Sequence, residues 1–111
     1  MPLLNLSTSV EIKDKKFFIK KSSELISKLT KKSTSFVMVK VVDSVPMYFS
    51  ESHDSCCYIE IKSIGSLTPS SMAPIISDFI SKEIGIPTNR IYINFENVSS
   101  TNWAWDGKTF G

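Results

Sequence analysis

The chain has little of what small catalytic or stapled proteins usually depend on: among its 111 residues there are one histidine, two cysteines and a single arginine, Arg90. The histidine, His53, lies in the polar stretch Ser50-Glu51-Ser52-His53-Asp54-Ser55. A zinc site there lacks ligands at workable spacing, and a Ser-His-Asp hydrolase is equally poorly served, so no metal is expected. The cysteines, Cys56 and Cys57, are neighbours; in a strand they point to opposite faces and cannot staple distant segments. They read as packing residues with one thiol at least half exposed, in a reducing compartment.

Charge of one sign is also missing. Thirteen basic residues face eleven acidic ones, a net +2, and the lysines Lys13, Lys15, Lys16, Lys20 and Lys21 are interspersed with Glu11, Asp14 and Glu24. That pattern is a solvated helix face, not a phosphate-binding stripe, so no nucleic-acid partner is expected. No apolar run approaches the roughly 20 residues that cross a bilayer, and Met1-Pro2-Leu3-Leu4-Asn5-Leu6 is not a signal peptide. No membrane association is expected, and a cytoplasmic protein is the default. With 41% hydrophobic and 22% charged residues, four Gly and five Pro, residues 1–111 form one globular domain.

The apolar pattern reads as strand, helix, strand, twice over. Pro2 to Ser7 suits a first strand; Glu11 to Lys31 suits an amphipathic helix, with Phe18, Ser22, Leu25, Ile26 and Leu29 at helical spacing. Phe36-Val37-Met38-Val39-Lys40-Val41-Val42 suits a covered strand, and Met47-Tyr48-Phe49 a short edge segment. The pattern then restarts at an offset of about 55 residues. Cys57 to Ile64 alternates, and Met72, Ile75, Ile76, Phe79, Ile80 and Ile84 repeat at helical spacing. Pro69 and Pro74 fit before or within the first turn of that helix, and Gly85 ends it. Arg90 to Phe95 is a strand with Ile91, Ile93 and Phe95 on one face and Tyr92 and Asn94 on the other.

Two β-α-β units predict an α+β fold with a four-stranded mixed sheet and both helices on one face. The opposite face, expected to bear Ile, Val and Phe, then needs cover from partner subunits. The tail from Asn102 to Gly111 has no helix pattern but is rich in aromatics, which suggests docking.

Pro2 is the residue with most chemical meaning. Methionine before a small residue is often removed in cells, and a proline thereby exposed carries a free secondary amine. An α-amino group titrates near ~8 in water, and burial disfavours its charged form, so such a nitrogen is a usable base at neutral pH. On that residue alone, the start of an edge strand is the better reading.

Several separated segments resemble the macrophage migration inhibitory factor family of the tautomerase superfamily. They are Met1-Pro2-Leu3-Leu4, Lys32 ahead of Phe36-Val37-Met38-Val39, Ser63-Ile64-Gly65, the block Gly85-Ile86-Pro87-Thr88-Asn89-Arg90-Ile91-Tyr92-Ile93-Asn94-Phe95, and Trp105 with Thr109-Phe110. The resemblance implies a homotrimer whose three sheets form a central barrel with pockets between subunits, and it implies no cofactor. It implies a keto–enol tautomerase acting on phenylpyruvate-like or dopachrome-like substrates, with Pro2 as base and then acid. Lys32 would hold the substrate carboxylate and the Ile64 amide would assist, while Tyr92 and Asn94 would enter from the neighbouring subunit. Phe36, Trp105 and Phe110 would form the pocket wall and rim. The alternative is a non-catalytic, cytokine-like or host-interaction protein on the same trimer, whose partner is a receptor protein.

The chain also departs from that pattern. Cys56 and Cys57 adjoin where some vertebrate members carry Cys-x-x-Cys, with Ile59 at the second position, so thiol oxidoreductase activity is not expected. The second helix reads about a turn shorter than in those members. Lys62 stands where a histidine is familiar, and Trp103 is bulkier than the usual aliphatic residue.

Overall fold

The computed structural model describes residues 1–111. Strand β1 (Leu3–Thr8) leads to helix α1 (Lys15–Thr30), a single 3-10 turn (Thr34–Phe36) and strand β2 (Met38–Val42). The second unit runs through β3 (Cys57–Ser63), α2 (Pro69–Ile84) and β4 (Ile91–Asn97), and a small hairpin, β5 (Ala104–Trp105) and β6 (Lys108–Thr109), closes the chain. The four long strands form one mixed sheet in the order β2-β1-β3-β4. Each unit pairs its own strands in parallel, and β1 joins β3 antiparallel.

The helices start and stop where local chemistry dictates. The Asp14 side chain accepts the Phe17 amide at 3.1 Å to cap α1, and Lys31 leaves the helix in the left-handed region at φ 59°. Pro69 opens α2, and Gly85, at φ 75°, closes it by donating its amide to Ser81 O at 2.9 Å. Pro74 is a correction: it lies inside α2, beyond the first turn, on the exposed side. Its missing amide therefore costs one intrahelical hydrogen bond at a surface where water serves the orphaned carbonyl. Helix α1 begins later than expected because Glu11 to Lys13 precede the cap.

Every fourth residue of each helix faces the sheet: Phe18, Ser22, Ile26 and Thr30 from α1, and Met72, Ile76 and Ile80 from α2. Ile75, expected on that stripe, is turned to solvent. The Ser22 and Thr30 hydroxyls enter the core at no polar cost because they donate to Phe18 O and Ile26 O at 2.8 and 2.7 Å. The sheet answers with Leu4, Leu6, Ile59 and Ile61, all essentially without exposure. Both cysteines are buried as well, at 2% and 3% exposure, which corrects the expectation of an accessible thiol: Cys56 precedes the strand and turns inward.

The open face of the sheet is not the Ile/Val/Phe surface expected. Most of those residues, Val39, Val41, Ile59, Ile61, Ile91, Ile93 and Phe95, lie under the helices, and register places three mixed rows on the other side. They are Val42–Ser7–Tyr58–Tyr92, Lys40–Asn5–Glu60–Asn94 and Met38–Leu3–Lys62–Glu96. Glu60 accepts from Asn5 Nδ2 at 3.1 Å and from Tyr58 OH at 3.2 Å, so the middle row is a hydrogen-bonded polar band. Met38, Val42 and Tyr92 remain well exposed beside it.

The long β2–β3 connection is organised by Arg90. Its guanidinium donates to the carbonyls of Ser55, Phe49 and Asp54 at 2.9, 3.1 and 2.9 Å and stacks over the Phe49 ring. Met47 to Phe49 form no strand of their own; only an isolated bridge joins Phe49 to Ser52.

Two outcomes follow for stability. Ile59→Ala, at a site with no exposure in the centre of the sheet, is expected to cost about 2–5 kcal/mol by urea unfolding. Asp43 accepts the Ile12 amide at 2.8 Å and pairs with Lys15 at 3.1 Å, and these hold its carboxyl below the usual range. A lowered carboxylate pKa stabilises the fold above the ordinary carboxylate range and is lost as pH falls through it. Asp43→Asn is therefore expected to flatten the acid side of the stability–pH curve below the ordinary carboxylate value of about 4.

Candidate active site

Pro2 enters the site because the first strand is central. With β2 on one side and β3 on the other, the chain start is held at the end of the sheet, where Pro2 O accepts the Met38 amide at 3.0 Å. Across the way, Ser63 O accepts the Val98 amide at 2.8 Å, which leads the chain after β4 back over the same end. The tail is folded there by Asp106 and Gly107, at φ 52° and 76°, between β5 and β6, and by the Phe110 amide donating to Trp103 O at 3.0 Å.

A cavity of about 720 Å³ lies between the chain start and this tail. Pro2, Phe36, Trp105 and Phe110 all line it, so four of the residues singled out from the sequence come together. Leu3, Met38, Val98, Trp103 and Ala104 complete its apolar wall; Asn97, Ser99 and Asn102 add neutral polar groups, and Lys62 and Glu96 add charge. Pro2 itself is fully buried.

The terminal amine belongs to Met1 in this form. Its pKa is lowered first by burial and then by the positive charge of Lys32. Lys32 is half-buried just beyond α1 and does not line the cavity; its part is the field it exerts on the chain start. Ile64 is half-buried immediately after Ser63 and is likewise outside the lining.

Tyr92 and Asn94 do not reach this cavity within one chain. Tyr92 packs edge-on against Phe49, with centroids 4.6 Å apart. Asn94 borders a second cavity of about 340 Å³ with Glu60, Lys62 and Glu96, on the open face. Among the lining residues missed from the sequence, Glu96 had a legible signal, since it continues the Tyr92–Asn94 alternation. Val98 and Ser99 had none, because an irregular segment carries no periodicity.

The chain matches the family model for macrophage migration inhibitory factor over residues 1–111. A macrophage migration inhibitory factor homolog from Brugia malayi is 32% identical across all of both chains. The chain belongs to the macrophage migration inhibitory factor family. The crystal structure of the family's homologue from Prochlorococcus marinus matches with a TM-score of 0.94 and 35% identity, over 98% of this chain and 99% of that one. The structure of the Trichinella spiralis family member matches at 0.91 and 26% identity, over 97% and 99%. Membership accounts for the paired β-α-β units and the mixed sheet, and no helix of this chain is long and apolar enough to cross a membrane.

The thiols contribute nothing to the cavity. Burial, and then the neighbouring Cys56, push Cys57 up to about 12. Neither cysteine is therefore expected to react with a water-soluble disulfide reagent at about pH 8 until the protein is unfolded, when two thiols per chain should titrate.

Proposed function

We propose that the protein is a keto–enol tautomerase acting on phenylpyruvate-like or dopachrome-like substrates, with Pro2 as general base and acid once Met1 has been removed. The observation that carries this reading is the chain start itself: a fully buried proline beside an apolar cavity, where burial and Lys32 oppose protonation of the terminal amine. With Met1 in place the proline nitrogen is an amide and has no basic lone pair.

The proline nitrogen takes a proton from the carbon next to the carbonyl. The C–H electron pair becomes the new C=C bond, and the carbonyl π pair moves to oxygen. The ammonium formed on Pro2 then returns its proton to that oxygen, so nothing is consumed. Negative charge building on oxygen needs a donor already in place, a role for the Ile64 amide, while Lys32 supplies positive charge for the substrate carboxylate. Phe36, Trp105 and Phe110 offer ring faces to an aromatic tail.

The catalytic unit is a homotrimer. Support comes from the exposed Met38, Val42 and Tyr92 on the open sheet face, an uneconomical surface for a lone chain of this size. In that assembly Tyr92 and Asn94 reach the Pro2 cavity of a neighbouring subunit. The alternative, a binding protein on the same trimer with a receptor protein as partner, is separated by turnover.

Four measurements test the reading. Intact mass should show loss of Met1, and native mass should be three times the 12.5 kDa chain. Pro2→Gly should slow phenylpyruvate tautomerisation by about 100-fold or more, whereas equal rates exclude proline catalysis. Lys32 lowers the amine pKa, so Lys32→Ala should shift the rising limb of the rate–pH profile to higher pH; an unmoved limb removes Lys32 from that role.

A further inference from the structure

Two charged side chains of the cavity have no part in the scheme above. Lys62 and Glu96 are the only lysine and the only acidic residue in its lining, and they sit on neighbouring strands in the row Met38–Leu3–Lys62–Glu96. Lys62 Nζ lies 3.4 Å from Glu96 Oε2, longer than the 2.7–2.9 Å or so of a strong charge-assisted hydrogen bond. That separation makes it a weak pair, easily exchanged for a better-placed anion.

The backbone beneath Lys62 is fixed in contrast, since β3 is paired on both sides, with β1 and with β4. A carboxylate entering this largely apolar cavity loses water and needs a cation to replace it. Lys62 is the cation within the lining, and it adds a direct contact to the positive charge that Lys32 supplies from outside it.

We propose that Lys62 is an anion-binding, specificity-determining residue of the Pro2 cavity, and that the carboxylate of an entering acid exchanges with Glu96 for its ammonium. No bond is made or broken; one carboxylate replaces another on the same donor. The ligand class is a monocarboxylate with an aromatic or branched apolar tail, the tail lying against Trp103, Trp105 and Phe110. Glu96 holds the ammonium in place when the cavity is empty and, by competing for it, discriminates against weak anions. This rests on the reading of the cavity as the place where an acid meets Pro2, but it concerns binding rather than turnover.

Trp103 and Trp105 line the cavity, so their fluorescence reports occupancy without any reaction. The probes are 3-phenylpropanoate and its uncharged amide, titrated at low salt. Lys62→Met should weaken the acid roughly tenfold or more and leave the amide unchanged, with Lys62→Arg recovering the acid. Glu96→Gln should tighten the acid several-fold, because the competitor is gone, and again leave the amide unchanged.

The proposal is overturned if the natural protein does not bind the acid, if Lys62→Met weakens acid and amide alike or neither, or if Glu96→Gln fails to tighten the acid. Unchanged amide binding in the variants shows that the cavity is intact. If the acid binds as described while phenylpyruvate is not turned over, the tautomerase reading falls and the role of Lys62 stands.

Discussion

The position of the first strand in the middle of the sheet is the constraint from which the site follows. Because β1 lies between β2 and β3, the chain start is clamped by hydrogen bonds from both sides and cannot fray as termini usually do. The same pairing buries Pro2 and holds the terminal amine where partial burial and the charge of Lys32 lower its pKa. A terminal amine left at an edge strand would be hydrated and protonated near neutral pH.

The sheet divides its labour between two faces. One is sealed by two helices whose every fourth residue meets Leu4, Leu6, Ile59 and Ile61, and this apolar layer supplies the stability. The other is a graded surface, polar in the middle row and part apolar in the outer rows. Its last row, next to Pro2, carries the Lys62–Glu96 pair. The helix-covered layer and the charged pair thus lie on opposite sides of the same strands, so substitutions at Lys62 or Glu96 leave that layer untouched.

Arg90 makes a comparable contribution at the far end of the open face. One guanidinium donates to four carbonyls of an otherwise irregular loop, those of Phe49, Ser52, Asp54 and Ser55, and holds Phe49 against Tyr92. It gathers backbone acceptors that would otherwise need water, which lets a long connection stay close to the sheet. As a lone arginine in a chain rich in lysine, it was legible as unusual. Its bonds to residues more than thirty positions away were not.

By themselves the residues determined the two β-α-β units, the helix-facing stripe at Phe18, Ser22 and Ile26, the stop at Gly85 and the chemical interest of Pro2, because local periodicity and turn chemistry are carried within a few neighbours. The last hairpin, closed by Asp106 and Gly107, was not legible in the residues, since the aromatic tail around it reads only as a docking segment. Alternation along a strand tells which side chains share a face but not which face the helices choose, and so the Ile/Val/Phe surface was assigned to the wrong side. Tertiary structure alone decided that choice, along with the inward turn of Cys56, the surface placement of Pro74 and the meeting of Lys62, Glu96 and the 97–110 segment around Pro2. Each of these depends on strand order and register between segments far apart in the chain, and no short-range pattern encodes that.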